Sequence, residues 1–283
     1  MTPADLRIYG LIGNPVKHSL SPLMHNAAFS YLNLNAEYKL FEVKPQELRS
    51  FILTLQEKKI YGLNVTIPHK EKVMDFLDEI SNEANLIGAV NTIKVADDRL
   101  EGFNTDGEGF LKHLTKELGF VPEGKTIAII GAGGATRAIS VHLAKRSPKA
   151  ISIYDLDKPK AEALARHLEI NFKDLEFRVS DSIEGLNIKE CDLLVNATPI
   201  GMKETDPCLV DQNLLHKDML VYDLIYNPKE TKLLKTARLI GARGSNGLGM
   251  LLYQGAISFQ IWTQRPAPFE IMRRALEEGV KYI

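Results

Sequence analysis

From residue 126 onward the chain alternates short apolar runs with amphipathic stretches, and this rhythm strongly constrains its fold. The apolar run TIAII (126–130) leads into the glycine-rich segment GAGGA and a helical pattern to about residue 146. The apolar runs AISIY, LEFRV, DLLVNA and MLVYDLI follow, with a helical pattern at 158–169 and helical or turn stretches between the others. Strands that alternate with helices predict parallel βαβ units with right-handed crossovers.

The first hundred residues show a similar alternation. Short apolar runs predict strands at 6–13, 36–43, 60–66 and about 88–95. Helical patterns lie at about 22–33, 45–57, 69–80 and, after the turn-rich DDRLEGFNTDGEG, at 106–119. Two more helices are predicted after Gly247, separated by TQRPAP.

The segment GFVPEGK interrupts the pattern, and its glycines and proline indicate a connection or boundary. We therefore predict an α/β protein of two domains. A dinucleotide-binding domain of the Rossmann type occupies residues 103–240. It is inserted between the two parts of another α/β domain, which are residues 1–102 and 241–283.

Composition excludes several functional classes. The 283 residues include 35 Lys and Arg against 36 Asp and Glu, a net charge of −1, so no basic patch for nucleic acid is expected. No apolar run approaches the roughly 18 residues of a membrane span. Cys191 and Cys208 are too few for a disulfide framework. We expect a reduced cytoplasmic protein, monomeric or homodimeric, without a nucleic-acid or membrane partner.

The glycine run is a candidate nucleotide-binding loop. Short side chains let backbone N–H groups and the N-terminus of the next helix approach a pyrophosphate. Glycine runs also occur in ordinary turns. Here, however, the strand before it, the helix after it and the next strand are where a dinucleotide fold requires them. The predicted binding residues are Gly131, Ala132, Gly133, Gly134 and Ala135.

An acidic residue follows the glycine run at a distance of about twenty residues. Asp155, with Asp157 close behind, can accept a hydrogen bond from the 2′-hydroxyl of an adenosine ribose. The same carboxylate would repel a 2′-phosphate, so these residues favour NAD(H) over NADP(H). Leu156 adds no charge, although Lys158 and Lys160 are near. In the alternative interpretation, both acids only cap the next helix.

A second set of polar residues is scattered over the first hundred positions. It comprises Ser19, Ser21, Thr66, Lys70, Asn91 and Asp106. Such a collection suits a small polyhydroxy acid, whose hydroxyls each need a partner once they leave water. Lysine in a partly enclosed cleft can exchange protons with a substrate hydroxyl. The nearby histidines form no ligand pattern, so no metal is expected.

Eight segments, in order, resemble the shikimate dehydrogenase family. They are GNPVKHSLSPLMHN, GLNVTIPHK, GAVNTI, GFNTDGEGF, IGAGGATRA, VNATPIGM, DLIYNPKETKLL and GLGMLLYQGAISFQIW, spanning about residues 8 to 262. The resemblance implies a split catalytic domain around an inserted Rossmann domain. It also implies reversible, NAD(P)-dependent interconversion of shikimate and 3-dehydroshikimate, a step toward chorismate and the aromatic amino acids.

The resemblance assigns roles position by position. Lys70 and Asp106 would be the catalytic pair. Ser19, Ser21 and Thr66 would bind the substrate carboxylate, and Asn91, Asp106, Gln254 and Tyr226 would surround its ring. The pyrophosphate would lie on Gly131 to Ala135 and the ribose at Asp155, Leu156, Asp157 and Lys160. The nicotinamide end would lie at Leu224 and Gly247.

The segment Asp155-Leu156-Asp157 departs from the family pattern. The typical member carries Asn-Arg-Thr or Asn-Arg-Ser there, and its arginine binds NADP. Similar acidic sequences occur in the quinate/shikimate branch that uses NAD. NAD(H) is therefore the expected cofactor, with NADP(H), as in most of the family, the alternative, and quinate is an alternative substrate. A nucleotide sensor without activity, a Rossmann methyltransferase and an unrelated sugar dehydrogenase are competing interpretations.

Overall fold

The computed structural model describes residues 6–96 and 99–282. Its strands are β1 (Arg7–Gly13), β2 (Ala36–Glu42), β3 (Ile60–Val65), β4 (Glu79–Ile80), β5 (Thr92–Ala96), β6 (Arg99–Phe103), β7 (Thr126–Ile130), β8 (Ala150–Tyr154), β9 (Glu176–Val179), β10 (Leu193–Asn196), β11 (Leu220–Asp223) and β12 (Arg243–Ser245). Its α-helices are α1 (Ser21–Tyr31), α2 (Leu48–Ile52), α3 (Asn82–Ile87), α4 (Asp106–Lys112), α5 (Gly134–Ala144), α6 (Lys158–Asn171), α7 (Lys232–Leu239), α8 (Leu248–Thr263) and α9 (Phe269–Gly279).

The contacts divide the chain into two compact units. The first runs to Gly109 and resumes at Leu251, and the second is Phe110–Met250. Because the first unit contains chain from both ends, the second is inserted into it. The functional domains predicted at 1–102 with 241–283 and at 103–240 stay a prediction.

The described strands of the first unit form a mixed sheet in the order β2-β1-β3-β5-β6-β4. Strand β1 pairs in parallel with both β2 and β3. Strand β5 then runs antiparallel to β3 and to β6. One face of this sheet covers a core built from aliphatic residues of β1, β3 and β5 together with α2.

The described strands of the second unit form a parallel sheet in the order β12-β11-β10-β7-β8-β9. Its central strands β7, β8 and β10 are almost continuously apolar and buried. That pattern is typical of strands covered on both faces. The predicted α/β fold with alternating strands and helices is confirmed.

One predicted helix of the first unit is wrong, and another is shorter than predicted. The segment 69–80 forms a 3₁₀ turn at Lys72–Phe76 and the short strand β4 instead of a helix. Asp78 explains this, because its backbone N–H donates to Leu100 O (3.0 Å) and its carboxylate accepts the Leu100 N–H (2.7 Å). These bonds pull the chain onto β6, a strand that the turn-rich composition concealed. The predicted helix 45–57 contracts to a 3₁₀ turn and α2.

An aromatic cluster fills the space between β1, β2 and α8. His25 stacks on Tyr38 with ring centroids 4.4 Å apart, and Trp262 lies 5.3 Å from the His25 ring. The Trp262 indole N–H donates to Ile93 O at 2.9 Å. His25 is fully buried, and neither of its ring nitrogens has a hydrogen-bond partner among the described residues. Burial lowers the pKa of His25 to about 3.

This buried imidazole predicts that stability falls in mild acid. His25 stays neutral in the folded state and takes up a proton near pH 6.5 in the unfolded state, so stability is complete above pH 6.5 and is lost as the pH falls toward 3. Between pH 7 and pH 5 the free energy of unfolding should drop by about 2 kcal/mol from this residue. His25→Phe should remove that part of the drop in urea titrations, whereas His18→Gln, at an exposed position, should keep it. An unchanged pH dependence in His25→Phe would contradict this assignment.

Candidate active site

The loops that follow β1 and β3 run side by side because these strands are parallel neighbours. The Asn14 N–H donates to Ile67 O (3.0 Å) and the Thr66 N–H donates to Ile12 O (2.9 Å). In the first of these loops the hydroxyl of Ser19 lies 3.2 Å from that of Ser21. Ser21 is also the first residue of α1. Two hydroxyls therefore meet where the helix dipole favours a negative charge.

Lys70 and Asp106 form a largely buried ion pair. The Lys70 Nζ lies 2.5 Å from Asp106 Oδ2, and the side chains are 13% and 6% exposed. The main chain holds Lys70 against the next loop, because its carbonyl accepts the Val90 N–H at 2.8 Å. Charges this far from water need close partners, since desolvation of either charge alone is costly.

Asn91 holds the other carboxylate oxygen. Its Nδ2 donates to Asp106 Oδ1 at 2.8 Å and to Thr105 Oγ1 at 2.9 Å. Its Oδ1 accepts the Thr105 N–H at 2.8 Å, so the orientation of the amide is fixed by the main chain. The Asp106 N–H donates to Asn104 Oδ1, which sets the first turn of α4. Both oxygens of Asp106 thus receive a donor.

Gln254 approaches the same cluster from α8. Its Oε1 lies 3.5 Å from Asn91 Nδ2, and its own Nε2 donates to Leu251 O. Gly109 allows this approach, because a Cβ at that position would lie 2.7 Å from the Gln254 backbone nitrogen. The first unit therefore brings Lys70, Asn91, Asp106 and Gln254 together.

For two other predicted substrate-binding residues, Thr66 and Tyr226, the structure gives the location in the fold. Thr66 is half-buried on the loop after β3. Tyr226 lies in the second unit on the segment after β11. Sequence reasoning missed Thr105 and Asn104, although both belong to the quoted segment GFNTDGEGF. Their side chains are recognisable as functional only from the hydrogen bonds they make.

The glycine loop of the second unit joins β7 to α5. Gly131 adopts φ +104°, a left-handed conformation, and a Cβ there would lie 3.0 Å from Ala197 O. A Cβ at Gly133 would meet no described atom within 4 Å, so the loop leaves open space above its backbone. This open space beside a helix N-terminus fits the pyrophosphate of a dinucleotide.

Asp155 is bound to this loop. Its Oδ2 accepts the Ala132 N–H at 2.6 Å, and its Oδ1 accepts the Asp157 N–H at 2.9 Å. Asp157 precedes α6 but makes no side-chain capping bond, so the capping alternative fails for it. The neighbouring Leu156 is 84% exposed. Lys160 is also exposed on α6.

The loops after β10 and β11 are joined by a buried acid that sequence reasoning missed. The carboxylate of Asp223 accepts from Thr231 Oγ1 (2.6 Å), the Ile225 N–H (3.1 Å) and Asn196 Nδ2 (3.0 Å). Burial raises the pKa of Asp223, and these hydrogen bonds oppose the shift. Near it, Leu224 and Gly247 lie in backbone contact.

The described residues offer neither a metal site nor a membrane span. Residues 6–96 and 99–282 contain no group of three or more His, Cys, Asp or Glu side chains arranged to hold a metal. No helix in the described part of the chain combines the length and apolarity needed to cross a membrane.

Family models match both ends of the chain. The shikimate dehydrogenase substrate binding domain matches residues 11–93, and the shikimate 5′-dehydrogenase C-terminal domain matches residues 247–277. The chain is 47% identical over 283 residues to the shikimate dehydrogenase (NADP(+)) of Methanopyrus kandleri, covering 98% of this chain and 97% of the relative.

Solved structures agree with these matches. A shikimate dehydrogenase in complex with NADP⁺ is 44% identical with a TM-score of 0.90, covering 99% of this chain and 98% of the other. Shikimate 5-dehydrogenase from Listeria monocytogenes, in complex with shikimate and NAD, is 37% identical with a TM-score of 0.85. Here the alignment covers 95% of this chain and 96% of the other.

The hydrogen bonds of Asn91 predict a large cost for its truncation. Asn91→Ala removes the acceptor of the buried Thr105 N–H and the donor to Asp106 Oδ1, so the free energy of unfolding should fall by about 3 kcal/mol. Chemical denaturation measures this loss. Asn85→Ala is the matched control, because that exposed amide donates a single bond to Ile80 O. Equal losses in the two variants would refute the role given to Asn91.

Proposed function

The chain belongs to the shikimate dehydrogenase family, and on that premise we propose how its residues carry out the reaction. It is an NAD(P)-dependent oxidoreductase that acts on a CH–OH group, interconverting shikimate and 3-dehydroshikimate on the way to chorismate. The observation that supports the residue assignment is the buried pair of Lys70 and Asp106, 2.5 Å apart.

Lys70 is the proton-transfer residue in this proposal. In its neutral amine form the Lys70 nitrogen takes the proton of the C3 hydroxyl as shikimate is oxidised, and in its ammonium form it returns that proton in the reverse direction. A bound nicotinamide cofactor supplies the acceptor for the hydride that leaves the same carbon. The resulting ammonium is stabilised by the carboxylate beside it, so the charge that develops has a partner already in place.

Asp106 orients both the lysine and the substrate hydroxyl. Its two oxygens are engaged by Lys70 Nζ and Asn91 Nδ2, which fixes the plane of the carboxylate. A fixed acceptor aligns the hydroxyl for transfer at little entropic cost. Asn91 and Gln254 present the further amides that ring hydroxyls require.

Ser19 and Ser21 bind the substrate carboxylate. Their adjacent hydroxyls and the N-terminus of α1 support this assignment. Thr66, on the neighbouring loop, assists, and the family resemblance is the basis for assigning Tyr226 to the substrate ring. Quinate would place an additional C1 hydroxyl near the two serines. The relatives at 47% and 44% identity are named shikimate dehydrogenase, so quinate is not the favoured substrate.

We also propose which residues bind the cofactor and which of NAD and NADP the enzyme uses. The loop from Gly131 to Ala135 binds the pyrophosphate, and Leu224 and Gly247 border the nicotinamide end. Leu156, Asp157 and Lys160 surround the adenosine ribose. The negative charge of Asp155 beside the loop supports NAD over NADP, because a 2′-phosphate there would meet a fixed carboxylate. We further propose that the enzyme is cytoplasmic and either monomeric or homodimeric. The unpaired cysteines Cys191 and Cys208 are consistent with the reducing conditions of that compartment.

Removal of the lysine amine should abolish most of the activity. Lys70→Ala should lower kcat by about 10²–10⁴-fold, because general acid–base catalysis contributes on that scale, with a smaller change in shikimate affinity. Steady-state assays of shikimate oxidation measure this. Lys72→Ala is the control, since that exposed lysine pairs with Asp75 and lies over the ring of Phe76, away from the Asp106 carboxylate. Near-normal turnover in Lys70→Ala would eliminate its proposed role.

Neutralisation of Asp155 should shift the cofactor preference. Asp155→Asn keeps an oxygen for the Ala132 N–H but removes the charge. The ratio of kcat/KM for NADP⁺ to that for NAD⁺ should therefore rise about tenfold. Asp174→Asn, at an exposed position of the same unit, should leave the ratio unaltered. A wild-type enzyme that prefers NADP⁺, or a ratio unmoved by Asp155→Asn, would count against NAD use.

A further inference from the structure

Ser258 lies at the centre of a buried polar cluster in the first unit. It is one helical turn beyond Gln254 on α8 and has no exposed surface. Four polar atoms lie within hydrogen-bond distance of its hydroxyl oxygen. They are Asn64 Nδ2 (3.0 Å), Thr92 Oγ1 (2.8 Å), Thr105 Oγ1 (3.2 Å) and Gln254 O (3.0 Å).

Two of these bonds have only one possible direction. The Gln254 carbonyl can only accept, so the single hydroxyl hydrogen of Ser258 points to it. The Asn64 amide nitrogen can only donate, and its orientation is fixed because it also donates to the Asn91 carbonyl at 3.2 Å. Ser258 therefore has one remaining lone pair for a hydroxyl donor.

That remaining position belongs to Thr92. Its Oγ1 lies 2.8 Å from the Ser258 oxygen, whereas Thr105 Oγ1 lies 3.2 Å from it. Thr105 has its own acceptor in Asn91 Oδ1 at 3.2 Å, and it accepts from Asn91 Nδ2 at 2.9 Å. With Thr92 donating to Ser258 and Thr105 donating to Asn91, each donor in the cluster has an acceptor.

We propose that Ser258 is a positioning residue of the active site. It holds the hydroxyl of Thr92, so that Asn91 Oδ1 is left to the N–H and the hydroxyl of Thr105. The amide fixed in this way holds the carboxylate of Asp106. It also ties the backbone at Gln254 to β3 and β5. Ser258 itself need not touch the substrate. The inference rests on the proposed function of Asp106 and Gln254.

Loss of the Ser258 hydroxyl would disturb Asn91 in a defined way. Thr92 would then donate to Asn91 Oδ1 at 2.9 Å, and that oxygen already receives the N–H and the hydroxyl of Thr105. Three donors on one carbonyl oxygen crowd it, and the amide must rotate away from its bond to Asp106. The effect of losing the Ser258 hydroxyl is therefore predicted at the Asp106 carboxylate, which it reaches through three consecutive hydrogen bonds by way of Thr92 and Asn91.

The test compares Ser258→Ala with Ser140→Ala. Ser140 is likewise a fully buried helix serine, but its hydroxyl has no hydrogen-bond partner among the described residues. Ser258→Ala should lower kcat/KM for shikimate about tenfold while KM for the dinucleotide stays unchanged. Ser140→Ala should match the wild type in both quantities.

A second pair of variants protects the test against a folding defect. Thr105→Val keeps the shape of the side chain but removes the hydroxyl, and should reproduce the shikimate defect. Thr105→Ser keeps a hydroxyl at this position and should retain most of the wild-type activity that Thr105→Val loses. In the Ser258→Ala/Thr105→Val double variant the two losses should combine to less than their product, because both act through the amide of Asn91.

The outcomes separate this inference from the proposed function. A wild-type enzyme that does not oxidise shikimate would overturn both. An active wild type with an unchanged kcat/KM for shikimate in Ser258→Ala, whatever its melting temperature, would overturn only the inference. Fully multiplicative losses in the double variant would also overturn it.

Discussion

A lysine and an aspartate that share a nearly dry environment constrain the whole first unit. Neither charge is tolerable there without the other, and the carboxylate needs more donors than the lysine supplies. The surrounding residues meet that need. Asn91 donates to the free oxygen of Asp106, and the Thr105 main chain fixes the direction of that amide. The polar cluster under the site is therefore a consequence of burying one ion pair.

Local patterns in the sequence were sufficient for the elements whose apolar runs are fully buried. Strands β7, β8 and β10 and the loop between β7 and α5 could be located without any structure. The segment 69–80 could not, because its apolar spacing suits a helix while Asp78 binds Leu100, a distant residue of another strand. A bond between distant residues overrides the local preference, and no window of sequence contains both partners.

The candidate site likewise contains residues that the sequence could identify and residues that it could not. Lys70 and Asp106 are 36 residues apart, and only the pairing of β3 with β5 and of β5 with β6 brings their loops together. The family resemblance named both residues, but it gave no reason for their proximity. Thr105 and Asp223 were missed because a buried threonine or aspartate is ordinary in sequence. Their importance lies in the atoms they bind, which only coordinates reveal.

Asp155 performs two tasks with one carboxylate. One oxygen accepts from the glycine loop at Ala132, and the same charge faces the region where the adenosine ribose is proposed to bind. An evolutionary path toward a cationic residue at this position would free the loop amide at the same step. A second substitution that supplies a new acceptor for the Ala132 N–H would have to come first. The effect of changing Asp155 therefore depends on the sequence of the glycine loop, so the two are epistatic.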